Sequence, residues 1–151
     1  MITRVKGNLL DYPSKGYFIV HQCNCSSGYV LGLAQQIYKK FPEADTRGCQ
    51  FDLELFGTYS VVGAVVNLFA QRFPGEPRKF VQADRIDHAS ARLSAFNQSF
   101  RQFLFDVSPG GVALPWQIGC GMAKGNWKQY LELIEDIAKD FPNTKFIFVQ
   151  Q

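Results

Sequence analysis

The sequence has few of the residues that mark several common classes of protein. Its 151 residues include two histidines and four cysteines, and no two cysteines have the C-x-x-C spacing of a zinc ribbon. A zinc ribbon and a histidine-rich metal site are therefore not predicted. No run of about 18 apolar residues is present, so no membrane-spanning helix is predicted either.

Three familiar site motifs are also absent. The sequence contains no G-x-x-x-x-G-K-[ST] loop, no clean G-x-G-x-x-G fingerprint and no G-x-S-x-G elbow. These absences disfavour a P-loop NTPase, a Rossmann dinucleotide site and an α/β-hydrolase.

The composition is that of a globular domain with many aromatic residues. Hydrophobic residues make up 46% and charged residues 19%, and 14 residues are phenylalanine. We expect one domain over residues 1–151, because a chain of this length can bury about 70% of its unfolded surface. The net charge of +3 is compatible with a small anionic ligand and does not argue for a dedicated nucleic-acid binder. Unpaired cysteines and a start without an apolar signal core predict a cytosolic location.

Strand-like and helix-like segments alternate along the chain. Apolar patterning predicts strands at residues 2–6, 17–20, 59–62, 64–69, 112–114 and 146–149, and helices at about 33–41, 43–49, 86–107 and 127–139. This alternation predicts an α/β fold in which a sheet lies between two layers of helices.

Two of the predicted strands lead into loops rich in small residues. The strand at 17–20 precedes a polar loop at 21–28, and the strand at 112–114 precedes a glycine-rich loop at 115–127. A helix is predicted after each loop, so both loops are expected at the same edge of the sheet. Glycine N–H groups and helix N-termini favour phosphate binding. The alternative that these glycines only form tight turns stays open.

Four side chains in these loops have possible chemical roles. His21 could act as a general acid or base, or could be a hydrogen-bonded structural histidine. Asn24 could orient a hydroxyl group or a water molecule, or could stabilise a turn. Cys25 and Cys120 could be nucleophiles, but free cysteines are more often small buried hydrophobic residues.

Several strings of this sequence resemble the macrodomain family. They are Val5-Lys6-Gly7-Asn8-Leu9-Leu10, Ile19-Val20-His21-Gln22-Cys23-Asn24-Cys25, the segment at 65–71, and the segment at 114–127. The second string is most similar to the ADP-ribose 1''-phosphate phosphatase branch, in which a strand ends in His-x-Cys-Asn-Cys. The matches occur in the family's order and extend from about Val5 to Val149.

This resemblance implies a three-layer α/β/α macrodomain sandwich, with a mixed, mostly parallel sheet and an ADP-ribose cleft. It implies that Asn8 and Leu9 contact the adenine, that Asn24 contacts the distal ribose, and that His21 is the histidine implicated in the phosphatase branch. The matched diphosphate loops contain Cys25, Ser26, Ser27, Gly28 and Gly32 in the first loop and Ile118, Gly119, Cys120, Gly121, Met122 and Ala123 in the second.

Two departures from the family pattern bear on activity. The first loop has Val30-Leu31-Gly32 where a glycine triplet is common. Ala70 and Ala123 occupy the positions of the lysine and aspartate with which the glycohydrolase branch removes ADP-ribose from acidic side chains. The resemblance therefore implies that this lysine–aspartate mechanism is unavailable here.

The resemblance favours hydrolysis of ADP-ribose 1''-phosphate to ADP-ribose and phosphate. His21 would then be the general acid or base and Asn24 would place the ribose or the attacking water, with no metal or cofactor required. The alternatives are a non-catalytic ADP-ribose-binding module and a hydrolase that removes ADP-ribose from modified protein or nucleic acid. The expected partners are ADP-ribose or its 1''-phosphate and ADP-ribosylated macromolecules, with no membrane and no dedicated nucleic-acid binding.

Overall fold

Six strands form one sheet in the computed structural model, which describes residues 2–26, 32–45, 52–79 and 85–151. The strands are β1 (Thr3–Lys6), β2 (Phe18–Asn24), β3 (Tyr59–Val62), β4 (Val65–Gln71), β5 (Gly111–Pro115) and β6 (Lys145–Gln150). Their order across the sheet is β1-β6-β5-β2-β4-β3. Neighbouring strands are parallel except for β3 and β4, which are antiparallel. The predicted mixed, mostly parallel sheet is confirmed.

Among the described residues, three α-helices cover the two faces of this sheet: α1 (Gly32–Lys40), α2 (Ala89–Val107) and α3 (Trp127–Asp140). Successive side chains of a strand point to opposite faces, and β2 shows the result. Ile19 packs with Ile37 of α1, whereas Val20 packs with Phe96 of α2 and Ile134 of α3. The predicted three-layer α/β/α architecture is confirmed. No helix in the described ranges is long and apolar enough to cross a membrane.

The prediction that residues 21–24 belong to a loop is wrong. β2 continues through them to Asn24, and His21 pairs with Asn67 of β4 in the parallel register. These polar residues remain in the sheet because neighbouring strands supply their hydrogen-bond partners. The Nε2 atom of Gln22, for example, donates to the Oε1 atom of Gln71, 2.7 Å away. Pairing between distant segments has overridden the loop-like local composition.

Two helix boundaries also differ from the predictions. α2 begins at Ala89 rather than near residue 86, because the imidazole of His88 caps the helix by accepting the N–H of Ala91 at 3.1 Å. Where a short helix is predicted at 43–49, the structure has a 3₁₀ turn at Pro42–Ala44. Residues 46–49 lie outside the described ranges.

Candidate functional site

A cavity of about 620 Å³ lies at the carboxyl edge of β2, β4 and β5. Its walls include residues 24–26 at the end of β2, Pro74 and Gly75 after β4, and residues 115–119 at the end of β5. The prediction that the two small-residue loops meet at one sheet edge is confirmed for their described parts. The volume falls within the usual range of small-molecule sites, about 300–1,000 Å³.

Most of the predicted site residues that the structure describes line this cavity. They are His21, Asn24, Cys25, Ser26, Gly32, Ile118, Gly119, Gly121, Met122 and Ala123. Ser27 and Gly28 lie outside the described residues, as do Val30 and Leu31. Asn8, Leu9 and Cys120 are described but are not part of the lining.

These three residues have local roles. The side-chain oxygen of Asn8 accepts the N–H of Leu10 at 3.0 Å and caps a 3₁₀ turn at Leu9–Asp11. Leu9 is buried in the core cluster that contains Ile37. The thiol of Cys120 donates to the carbonyl of Ile118 at 3.4 Å. Their contacts with a ligand stay predictions.

Packing explains two glycines of the second loop. Gly119 has a φ of +79°, and a Cβ atom on it would lie 2.7 Å from the Cζ atom of Tyr130. A Cβ atom on Gly125 would lie 2.5 Å from the carbonyl oxygen of Gly119. The tight-turn alternative therefore applies to these two residues. A Cβ atom on Gly121, which lines the cavity, would have no atom within 4 Å.

His21 lies in a buried polar cluster beneath the cavity. Its side chain is 2% exposed, and its Nε2 atom is 2.5 Å from the Oδ1 atom of Asn67. The Nδ2 atom of Asn67 donates to the carbonyl of Ala44 and to the hydroxyl of Ser60, so Oδ1 is the acceptor. Nε2 of His21 must then carry the hydrogen. The hydroxyl of Tyr38 also donates to Oδ1, at 3.0 Å.

Burial determines the charge of this histidine. It lowers the pKa of His21 to about 4, although the hydrogen bond to Asn67 opposes the shift. The imidazole is therefore neutral at pH 7 and has little of the imidazolium form that a general acid would use. The acid or base role expected of His21 stays a prediction, and these surroundings fit the structural alternative.

The cysteines at the site remain protonated near neutral pH. Burial raises the pKa of Cys25 to about 12 and the pKa of Cys120 to about 11. Because the thiolate is the nucleophile, neither side chain has the electrostatic surroundings of a catalytic cysteine. The alternative of a small buried hydrophobic residue is favoured for Cys25, whereas Cys120 is half-buried.

Two glutamines were missed by the sequence analysis. Gln22 and Gln71 line the cavity, and the hydroxyl of Tyr130 donates to the Oε1 atom of Gln22 at 3.0 Å. Gln22 in turn bonds Gln71, whose Nε2 atom donates to the carbonyl of Phe73 at 3.2 Å. Because β2 extends to Asn24, the alternation of its side chains places Gln22 and His21 on opposite faces of the sheet, with Gln22 on the face covered by α3.

The described lining of the cavity contains no aspartate, glutamate, lysine or arginine. Its polar groups are amides, hydroxyls, thiols, an indole N–H, a neutral imidazole and backbone groups. An anionic ligand would therefore be stabilised by backbone N–H groups and helix N-termini rather than by charged side chains. Within the described residues, no three His, Cys, Asp or Glu side chains are grouped to hold a metal ion.

Comparisons with known proteins found similarity to solved macrodomain structures and to a phage protein. No protein-family model matches the sequence. The macrodomain of Mycobacterium tuberculosis DarG superposes with a TM-score of 0.73 over 99% of this chain and 97% of that chain, at 19% identity. An uncharacterized 17.5 kDa protein from the tk-vs intergenic region of Enterobacteria phage T4 is 27% identical over 149 residues, 91% of this chain and 87% of that protein.

A shorter match names an activity. The ADP-ribose 1''-phosphate phosphatase of Saccharomyces cerevisiae is 39% identical over 44 residues. That match covers 29% of this chain and 25% of the yeast protein.

Proposed function

We propose, from the premise that this chain has the macrodomain fold, that its cavity binds ADP-ribose. The observation that carries the proposal is that the described parts of both segments resembling the family's diphosphate loops line the cavity of about 620 Å³. The net charge of +3 is compatible with this anionic ligand. The single domain, the cytosolic location and the absence of membrane or dedicated nucleic-acid partners stay predictions.

Asn24 is the side chain that we assign to the distal ribose. Its carboxamide is half-buried at the end of β2, and its Oδ1 atom accepts the hydroxyl of Ser26 at 3.0 Å. The amide nitrogen can then donate to a ribose hydroxyl. Gly121 leaves its backbone open to the cavity, so the diphosphate can approach this loop closely. In this proposal, Asn8 and Leu9 contact the adenine.

Titration calorimetry with ADP-ribose tests the binding proposal. We expect saturable binding with one site per chain. AMP and ribose 5-phosphate, each of which carries one half of the ligand, should bind at least about tenfold more weakly, because each loses one set of contacts. Absence of ADP-ribose binding by the folded protein would contradict the proposal.

Hydrolysis of ADP-ribose 1''-phosphate is the second candidate function, and the short match to the yeast phosphatase favours it. In this reaction water attacks the phosphorus and the bond from phosphorus to the 1''-oxygen breaks. The proton from the water ends on the departing 1''-oxygen. A neutral His21 could accept the water proton only at Nδ1, because Nε2 donates to Asn67. Its low pKa makes it a weak base, so we expect slow turnover.

Replacing each of the two histidines tests this role. We expect His21→Gln to lower phosphate release at least about tenfold, because the amide keeps a donor near Asn67 but has no basic nitrogen. His88→Asn, which can keep the cap on α2, is the matched control and should release phosphate at the wild-type rate. Release is measured under single-turnover conditions, with calorimetry showing that both variants still bind ADP-ribose.

The outcomes separate the three functions. Binding without phosphate release by the wild type would favour the non-catalytic module. Equal rates in the wild type and His21→Gln would remove His21 from the mechanism. Release of ADP-ribose from a modified protein or nucleic acid would favour the third function. That function would need groups other than Ala70 and Ala123, which have no ionisable side chain.

A further inference from the structure

A buried ion pair lies beside the cavity, between Arg92 in the first turn of α2 and Asp87, which precedes the cap of that helix. Asp87 is fully buried and Arg92 is 1% exposed. The pair is bidentate: the Nη2 atom of Arg92 is 2.7 Å from Oδ2 of Asp87, and its Nε atom is 3.0 Å from Oδ1. Removing two charges from water costs several kcal/mol per ion. The other hydrogen bonds of Asp87 and Arg92 show which backbone segments the pair holds in place.

The carboxylate holds the first part of the loop after β4. Oδ1 of Asp87 accepts the N–H of Arg72 at 2.8 Å, and Oδ2 accepts the N–H of Phe73 at 3.1 Å. The next two residues, Pro74 and Gly75, line the cavity. One buried side chain therefore fixes the backbone that leads into the rim of the cavity formed by Pro74 and Gly75.

The guanidinium of Arg92 bonds the same loop after β4 and also the loop after β5. Arg92 donates to the carbonyls of Phe73 at 3.2 Å, Gly75 at 2.8 Å and Glu76 at 3.2 Å. It also donates to the carbonyl of Ala123 at 3.4 Å. Ala123 belongs to the loop after β5 and lines the cavity. Arg92 thus bonds the backbone of two rims of the cavity, the loop after β4 and the loop after β5, which are far apart in sequence.

We propose that the Asp87–Arg92 pair is a positioning device that sets the separation between the loop after β4 and the loop after β5, and thereby the fit of the ligand. An arginine is required because its planar group presents five N–H donors in fixed directions. A lysine at this place keeps the charge but has one nitrogen, which cannot reach the carboxylate and both rims together. The inference rests on the proposed function only through the choice of ligand.

Arg92→Lys is the variant that tests the proposal. We expect its affinity for ADP-ribose to fall at least about tenfold, since the rims lose their common anchor. We also expect faster hydrogen exchange at the backbone amides of residues 72, 73, 75, 76 and 123–125, measured without ligand, because fewer groups hold these loops.

Two control variants separate positioning from a general loss of stability. Arg101→Lys changes the same residue type on the same helix, where Arg101 pairs with the exposed Asp140 at 2.6 Å. Ile134→Val removes a methylene from a fully buried side chain of α3 outside the cavity lining. Both should keep wild-type affinity and wild-type exchange in the two rims, although Ile134→Val should lower the melting temperature.

The wild type supplies a measurement that does not depend on any variant folding. The amides of Arg72 and Phe73 should exchange as slowly as those of β4, because a buried carboxylate accepts both. Rapid exchange of these two amides would overturn the inference, as would wild-type affinity in Arg92→Lys or an equal loss in Ile134→Val. If the wild type binds no ADP-ribose, the proposed function fails, and exchange in the two rims alone decides the inference.

Discussion

Gly125→Ala is expected to lose most of its affinity for ADP-ribose while the sheet remains folded. The new Cβ atom would lie 2.5 Å from the carbonyl oxygen of Gly119 and 2.7 Å from the Cε2 atom of Tyr130. At present the N–H of Gly125 donates to that same carbonyl at 3.0 Å and closes the second loop. Since backbone cannot rotate away as a flexible side chain would, the loop must open.

The size of the effect follows from what the loop does. Overpacking of this kind costs about 1–3 kcal/mol of stability, and the cavity wall formed by residues 118, 119 and 121–123 moves with the loop. We expect a loss of affinity of about thirtyfold or more, because a misplacement of about 1 Å already removes aligned contacts. Calorimetry gives the affinity, and thermal unfolding gives the stability of the same preparation.

Gly110→Ala is the matched control for this substitution. A Cβ atom on Gly110 would meet nothing within 4 Å, and Gly110 lies in the turn before β5, away from the cavity lining. It should keep wild-type affinity and change the melting temperature only slightly. Affinity within about twofold of the wild type in Gly125→Ala would show that the closed loop is not needed for binding.

Much of the fold could be predicted from apolar patterning, because its main elements bury continuous or periodic stripes. β4 is buried at every position, and five of its seven residues are apolar. The end of β2 could not be predicted in this way. His21 and Gln22 are polar and resemble a loop when only their neighbours in sequence are considered. Their partners, Asn67 and Gln71, come from a strand more than forty residues away.

The same limit explains which parts of the candidate site were missed. The two loops could be predicted from their small residues, and the resemblance assigned them to a diphosphate. Arg92 was missed because its partners are backbone carbonyls of two distant loops. One signal was present in the sequence: Arg92 precedes Phe96 by four residues and therefore lies on the buried face of α2. A charged residue at such a position requires a buried partner, which here is Asp87.

The uncharged lining also changes what a histidine at this site can do. His21 is neutral, and the neighbouring thiols remain protonated. Hydrogen bonding is therefore the main chemistry that the described lining offers. Binding needs no more than this, whereas hydrolysis needs a base. Binding and turnover are therefore separable properties of the cavity.

The buried histidine should make the protein sensitive to acid. The pKa of His21 is about 4 in the folded state, compared with 6.5 for an exposed histidine. Between these values the unfolded chain binds a proton that the folded chain does not, so stability falls as the pH drops from 6.5 to 4. At about 1.4 kcal/mol for each pH unit, His21 alone should reduce the free energy of unfolding by about 3 kcal/mol. Above pH 6.5 it should contribute no pH dependence.

Urea unfolding of the wild type and His21→Gln at pH 7 and at about pH 4.5 measures this contribution. The variant has no imidazole at this position, so its stability should fall by about 2–3 kcal/mol less than that of the wild type over the same interval. Carboxyl groups titrate in both proteins and cancel in the comparison. An equal loss of stability in the wild type and His21→Gln would mean that folding does not lower the pKa of His21, and His21 would then be a stronger base than a pKa of about 4 implies.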